Sequence, residues 1–177
     1  MAGFDFESLI RSIPDYPSEG VVFKDITTLL KDPDGFAAMV DEIADHFEGK
    51  GVTKVLGAEA RGFMIATPVA YRLHVGFVPA RKPGKLPCET VMQGYQLEYG
   101  TDALEIHKDA IDESDKVLII DDIVATGGTA VAQVKMVEEL GGEVAGLAFL
   151  QELSFLNPRE AISEATDAEV FSLIVVE

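Results

Sequence analysis

A chain of 177 residues, 47% of them hydrophobic, is enough for one globular domain with a buried core. Its 31 Asp and Glu outnumber 14 Lys and Arg, giving a formal charge of −17, and such a surface repels nucleic acid and anionic membrane. The single cysteine excludes an internal disulfide and any multi-cysteine metal site, and no stretch approaches the roughly 18 apolar residues of a membrane span. The opening stretch MAGFDFESLIRSIPDYP lacks a signal peptide's basic start and apolar middle, so a cytoplasmic location is expected.

In chain order, Phe4 to Ile13 reads as a short amphipathic helix stopped by Pro14, followed by a loop through Pro17 and Gly20 into a short extended piece. Phe36, Met39, Val40, Ile43 and Phe47 recur at helical spacing, with Asp41, Glu42 and Asp45 off that stripe. KVLGA (54–58) reads as a buried strand, GFMIATPVAYRL as the helix after it, and VGFVPA as a second strand. The polar stretch from Arg81 to Thr101 shows no period. It is long for a connection, and such loops are commonly functional, so it is expected to be a mobile loop. ALEIH and KVLIID read as strands, and Val131, Val134, Val137 and Leu140 stripe a helix ended by Gly141 and Gly142. EVAGLAFLQEL and FSLIVV complete the strands. Continuous apolar strands alternating with helices predict an α/β fold, a mostly parallel sheet covered on both faces, as a single domain over 1–177.

The chemistry concentrates in VLIIDDIVATGGTA, residues 117–130. An apolar strand ends in Asp121 and Asp122, and Thr126-Gly127-Gly128-Thr129 opens a helix. Ligands of open α/β sheets bind beyond the carboxyl ends of strands, where a helix N-terminus offers free N–H groups to a phosphate. The two glycines allow close backbone approach, Thr126 and Thr129 can add hydroxyl donors, and Thr129 suits an N-cap. Adjacent carboxylates are placed to accept from the vicinal hydroxyls of a ribose. No G-x-G-x-x-G or GK[ST] run is present to indicate a dinucleotide site or a P-loop. Cys88 reads as a surface or packing thiol, and His46, His74 and His107 match no metal-ligand spacing.

The segment resembles the ribose-phosphate signature of the type I phosphoribosyltransferases along its whole length. The resemblance implies that Asp121 and Asp122 hold ribose hydroxyls and that Ala125, Thr126, Gly127, Gly128 and Thr129 wrap the 5′-phosphate. DYPSEGVVFKDIT, LGAEARGFMIATPVA, FVPARKPGKLP and YQLEYGTDALEIHKDAI are similar to the corresponding stretches of the adenine-specific branch of that family, from about residue 10 to about residue 150. Those enzymes convert adenine and phosphoribosyl pyrophosphate to AMP and pyrophosphate with magnesium. The likeness implies a small N-terminal base-binding hood (1–34), a flexible loop (81–101) that closes over the site, and a homodimer in which residues 81–85 can reach a neighbouring subunit's site.

Pyrophosphate leaves a sugar carbon with cationic character, so its developing charge needs stabilising. Arg61, in a loop just past a strand end, is the first candidate. Arg81, Lys82 and Lys85 form the densest basic cluster, so four of the 14 basic residues serve the polyanion. Magnesium supplies the rest, held mainly through substrate and water, with Asp121 as the candidate protein contact. For adenine, the resemblance assigns Phe23 to stacking and the Val22 backbone to the base edge. Lys24 stands where many relatives carry Arg, which leaves its part in the adenine site less defined. The family's candidate catalytic carboxylate falls on Glu98, followed by Tyr99. A carboxyl group near N7 stabilises the base as N9 loses its proton. Glu59-Ala60 departs from the Asp-Ser of some relatives without disturbing Arg61. Two alternatives stay open: transfer to a 6-oxopurine such as xanthine or hypoxanthine, and a non-catalytic regulator that senses phosphoribosyl pyrophosphate. The charge of −17 and the lack of an added DNA-binding segment disfavour the regulator.

Overall fold

The computed structural model describes residues 4–97 and 100–177. The elements are β1 (Arg11–Pro14), β2 (Val22–Asp25), α1 (Thr27–Leu30), α2 (Pro33–Phe47), β3 (Lys54–Ala58), α3 (Arg61–Leu73) and β4 (Gly76–Ala80). There follow β5 (Thr90–Leu97), β6 (Gly100–His107), β7 (Lys116–Val124), α4 (Gly128–Glu139), β8 (Glu143–Leu153), α5 (Pro158–Ser163) and β9 (Val170–Val176).

Strand β7 shows why the sheet forms where it does. Val117 and Ile119 enter one core, Leu118 and Ile120 enter the other, and none of the four is exposed. A strand apolar on both faces must be central, and the order is β4-β3-β7-β8-β9, parallel throughout. Helices α2 and α3 cover one face through Met39, Ile43, Phe47, Ile65 and Val69. Helix α4 and strands β5 and β6 cover the other through Val134, Val137, Val91, Leu104 and Ile106. The expected α/β architecture is therefore present. From β3 the chain steps outward to β4, and from β7 it steps the opposite way to β8. That divergence between β3 and β7 is the switch point at which open sheets bind ligands. Among the described residues no helix is long and apolar enough to cross a membrane.

Two segments depart from the sequence expectation. Phe4–Ile13 is not one helix: a single 3₁₀ turn spans Glu7–Leu9, and Arg11–Pro14 pairs antiparallel with Val22–Asp25. The backbone there finds partners outside itself. Arg11 N donates to Thr28 Oγ1 at 3.2 Å, and that hydroxyl donates to the Leu9 carbonyl at 2.6 Å. Those groups are no longer available to a helical ladder. The aperiodic stretch 81–101 contains most of a hairpin, in register from Thr90↔His107 to Leu97↔Gly100. Its α4-facing side runs Val91, Gln93, Tyr95, then Asp102, Leu104, Ile106. Polar residues that find partners there interrupt the apolar alternation and hide the strand period. Gln93 Nε2, for instance, donates to Glu139 on α4 at 2.9 Å.

Candidate active site

Beyond the carboxyl ends of β3 and β7 lies a cavity of about 400 Å³. Asp121 and Asp122 form its floor, Glu59 to Arg61 one wall, Lys82 and Tyr95 the opposite wall, and Thr129 its far end. A smaller pocket of about 160 Å³ continues from it along residues 123–130, with Phe149 behind. The sequence-predicted ribose, 5′-phosphate and pyrophosphate residues Asp121, Asp122, Thr129, Arg61 and Lys82 thus share one concavity, and Ala125 to Gly128 line its extension.

The end of the cavity at α4 is built by backbone. Gly127 is the N-cap of α4 with φ of +86°, a left-handed conformation that favours glycine, and no side chain caps the helix. Thr129 is therefore not the N-cap expected from sequence. It lines the cavity together with Tyr95 instead. Helix geometry leaves the first N–H groups of α4 without a carbonyl one turn back, and the smaller pocket opens at that end.

The floor is electrostatically strained. Asp122 N donates to Asp121 Oδ1 at 2.9 Å, and Arg61 Nε lies 2.6 Å from Asp122 Oδ2. Burial pushes the Asp121 carboxyl well up, and the neighbouring Asp122 charge pushes it further. Burial raises Asp122 as well, against the pull of Arg61. Close packing contributes: a Cβ on Gly62 would come within 2.8 Å of Asp121 Oδ1, so α3 can start against β7 only with glycine there. Arg61 is the first residue of α3 rather than a loop residue, which fixes its origin on a rigid element.

Of the basic cluster Lys82 lines the cavity, whereas Arg81 and Lys85 stand behind it on Glu59, and all three are held by carboxylates. Glu59 Oε1 accepts from the Lys82 amide at 2.6 Å and lies 3.4 Å from Arg81 Nε, and its Oε2 meets Lys85 Nζ at 2.7 Å. Burial alone would raise the Glu59 carboxyl. Lys85, the Lys82 amide and Arg81 outweigh it and hold the group below its usual value. Lys82 Nζ meets Asp102 Oδ2 at 2.8 Å, a contact that raises the lysine and lowers the aspartate. Tyr95 lies directly across the hairpin from Asp102. Burial and the Asp102 charge raise the phenol. Of these partners only Glu59 left a trace in the sequence, as a departure from relatives beside Arg61.

The hood meets the site through Phe23. The Arg61 guanidinium carbon lies 5.5 Å from the Phe23 ring centroid, and Tyr16 packs edge-on at 5.3 Å. Val22 and Lys24, two residues apart, share the face of β2 opposite Phe23; Val22 is 55% exposed, which leaves it open to a ligand, and Lys24 donates to Ser12 Oγ at 3.0 Å. Glu98 and Tyr99 lie outside the described residues.

A family model described as the phosphoribosyl transferase domain matches residues 25–172. The adenine phosphoribosyltransferase of Acidobacterium capsulatum is 55% identical over 168 residues, 95% of this chain and 91% of the relative. Among solved structures, the crystal structure of adenine phosphoribosyltransferase from Thermoanaerobacter pseudethanolicus superposes with a TM-score of 0.92 at 49% identity, covering 97% of this chain and 98% of that one. The enzyme from Saccharomyces cerevisiae, crystallised with adenine, superposes at 0.87 with 37% identity over 96% of each chain. A strand-end acid pair, a glycine-capped helix start and a match spanning most of the sequence agree with one another: the chain belongs to the phosphoribosyltransferase family.

Proposed function

We propose that the protein transfers the 5-phosphoribosyl group from phosphoribosyl pyrophosphate to adenine, releasing AMP and pyrophosphate. The observation that carries this reading is the single cavity joining the Asp121–Thr129 phosphate end to the Arg61 and Lys82 end, with Phe23 against Arg61. The 5′-phosphate accepts from the N–H groups at the start of α4 and from the Thr126 and Thr129 hydroxyls. The ribose hydroxyls donate to Asp121 and Asp122, two carboxylates that burial leaves short of donors. The C1′–O bond breaks with its electron pair leaving on pyrophosphate, whose charge meets Arg61, Arg81, Lys82 and Lys85. Adenine stacks on Phe23 with its edge at the Val22 backbone, and N9 forms the new bond to C1′. The N9 proton passes to solvent water as the Glu98 carboxyl shares a proton with N7, with Tyr99 the next residue in sequence.

The acid pair also fits a hard divalent cation, because two adjacent carboxylates share one protein cation, Arg61. No group of three or more ligating side chains occurs among the described residues, so magnesium would be held largely by substrate and water, with Asp121 and Asp122 completing the set. Bound there, magnesium supplies positive charge to the departing pyrophosphate. A homodimer and a cytoplasmic location complete the reading, and sedimentation velocity tests the first.

The deciding experiment measures AMP, IMP, GMP and XMP formation from the four bases with magnesium and phosphoribosyl pyrophosphate, on wild type and Glu98→Ala. AMP formation that predominates, with turnover lost in the variant, is the expected result. Absence of AMP overturns adenine as substrate, and unchanged turnover in Glu98→Ala removes that residue from the mechanism.

A further inference from the structure

Glu152 is a carboxylate with 2% of its surface exposed, and no step of the proposed reaction uses it. A buried charge persists only when it is paired and its lone pairs are filled. Both conditions are met. Arg159 Nε and Nη2 grip the two oxygens at 2.7 and 2.8 Å, a bidentate fork, and the Ser172 hydroxyl donates to Oε2 at 2.7 Å.

The placement of this pair gives it a use. Glu152 sits near the end of β8, in register with Val124 of β7, the residue that leads into the phosphate loop. Arg159 is the second residue of α5. That helix backs directly onto the loop: a Cβ on Gly127 would lie 3.0 Å from the Pro158 carbonyl oxygen and 3.2 Å from Ala161 Cβ. Helix α5 has six residues, too few to be stable by itself, so its position depends on what anchors it. Buried Ile162 anchors it through packing, which resists separation but leaves rotation and sliding. A planar fork on a fixed carboxylate restricts those remaining motions as well.

We infer that Glu152 and Arg159 are positioning residues for the 5′-phosphate site: the ion pair fixes α5, and α5 is the wall that fixes Gly127 and the first turn of α4. The inference rests on the reading of residues 125–129 as the 5′-phosphate loop. Its consequence is selective. Loosening the pair weakens every ligand that carries a 5′-phosphate and spares adenine, which meets the protein at Phe23.

The test compares wild type, Arg159→Ala, Arg159→Lys and Ala161→Val by AMP titration calorimetry, steady-state kinetics and thermal melts. Arg159→Ala is expected to raise the AMP Kd and the KM for phosphoribosyl pyrophosphate about tenfold, as loss of support for a binding geometry does, with the adenine KM changed less than about twofold. Arg159→Lys keeps the charge without the fork and falls between the two. Ala161→Val leaves the buried pair intact and pushes methyl groups toward Gly127, so it gives the same pattern even if Arg159→Ala does not fold. A lower melting temperature with unchanged AMP affinity and unchanged KM in the folded variants overturns the inference, because the pair is then only structural. Wild type that fails to bind AMP overturns the phosphate-loop reading itself, and the inference with it.

Discussion

Replacing Gly127 with alanine adds one methyl at the junction of the phosphate loop and α5, and its cost has two separable parts. The first is conformational: at φ of +86° an L-residue pays about 1–2 kcal/mol for the left-handed backbone. The second is steric. The new Cβ meets the Pro158 carbonyl oxygen at 3.0 Å and Ala161 Cβ at 3.2 Å, and both belong to a helix held by the Glu152–Arg159 pair. Forcing a methyl into such a place costs about 1–3 kcal/mol more. Gly49 supplies the control, with φ of +76° and nothing within 4 Å of its added Cβ. Gly49→Ala therefore carries the conformational part alone. Urea unfolding of both variants should show Gly127→Ala losing at least about 1 kcal/mol more than Gly49→Ala, with a raised KM for phosphoribosyl pyrophosphate in the first only. In the Arg159→Ala background the wall can yield, so the Gly127 penalty should shrink by about 1 kcal/mol, a coupling readable from the double-mutant cycle. Equal losses for the two glycine variants, or strict additivity with Arg159→Ala, would refute the claim that α5 is a fixed wall.

The floor of the site makes a prediction of opposite sign for stability and function. Asp121 and Asp122 have raised carboxyls, so between the unfolded value near 4 and the raised folded value the native state binds more protons than the unfolded chain, and stability falls as pH rises through that window. Asp121→Asn keeps an acceptor for the Asp122 amide and removes one charge. It should be more stable than wild type at pH 7.5 while losing affinity for phosphoribosyl pyrophosphate, and a variant less stable at that pH contradicts the electrostatic account. Phe23→Ala removes the stacking face and should raise the adenine KM about tenfold while the KM for phosphoribosyl pyrophosphate stays within about twofold. Equal rises in both would mean that Phe23 acts through Arg61 rather than on the base.

What the sequence disclosed follows from how locally each part is encoded. Residues 117–130 are contiguous: apolar strand, acid pair, glycine turn and helix follow one another along the chain, so this strand–turn–helix unit at the carboxyl end of the sheet could be read directly. Strands β3, β7 and β8 were legible because burial on both faces demands unbroken apolar runs, and the edge strands β4 and β9, though only partly buried, carry apolar runs as well. In the hairpin only the ALEIH part of β6 was legible as a strand; β5 was not, because the face the hairpin turns to α4 includes Gln93, Tyr95 and Asp102, and Gln93 and Asp102 find partners on α4 and on Lys82. Strand β1 was misread as helix because Thr28, 17 residues on from Arg11, takes the backbone groups a helix would have used. Glu59, Asp102 and Glu152 are three acids among 31, and each acquires meaning only from a cation elsewhere in the chain.

Those acids also change how a chain of charge −17 accommodates a polyanion. The sequence suggests a local excess of positive charge, yet each cation that the proposed reading assigns to pyrophosphate already has an acidic partner. Arg61 is on Asp122, Lys82 on Asp102, and Lys85 and Arg81 on Glu59. On the proposed reading, pyrophosphate would exchange with carboxylates already in place on these cations. Such pairs hold long, flexible side chains at the cavity wall before substrate arrives, so less side-chain entropy remains to be lost on binding. The exchange lowers affinity relative to free cations and offers the same groups a ready partner when pyrophosphate departs, which suits a site whose leaving group has to be released at every turnover.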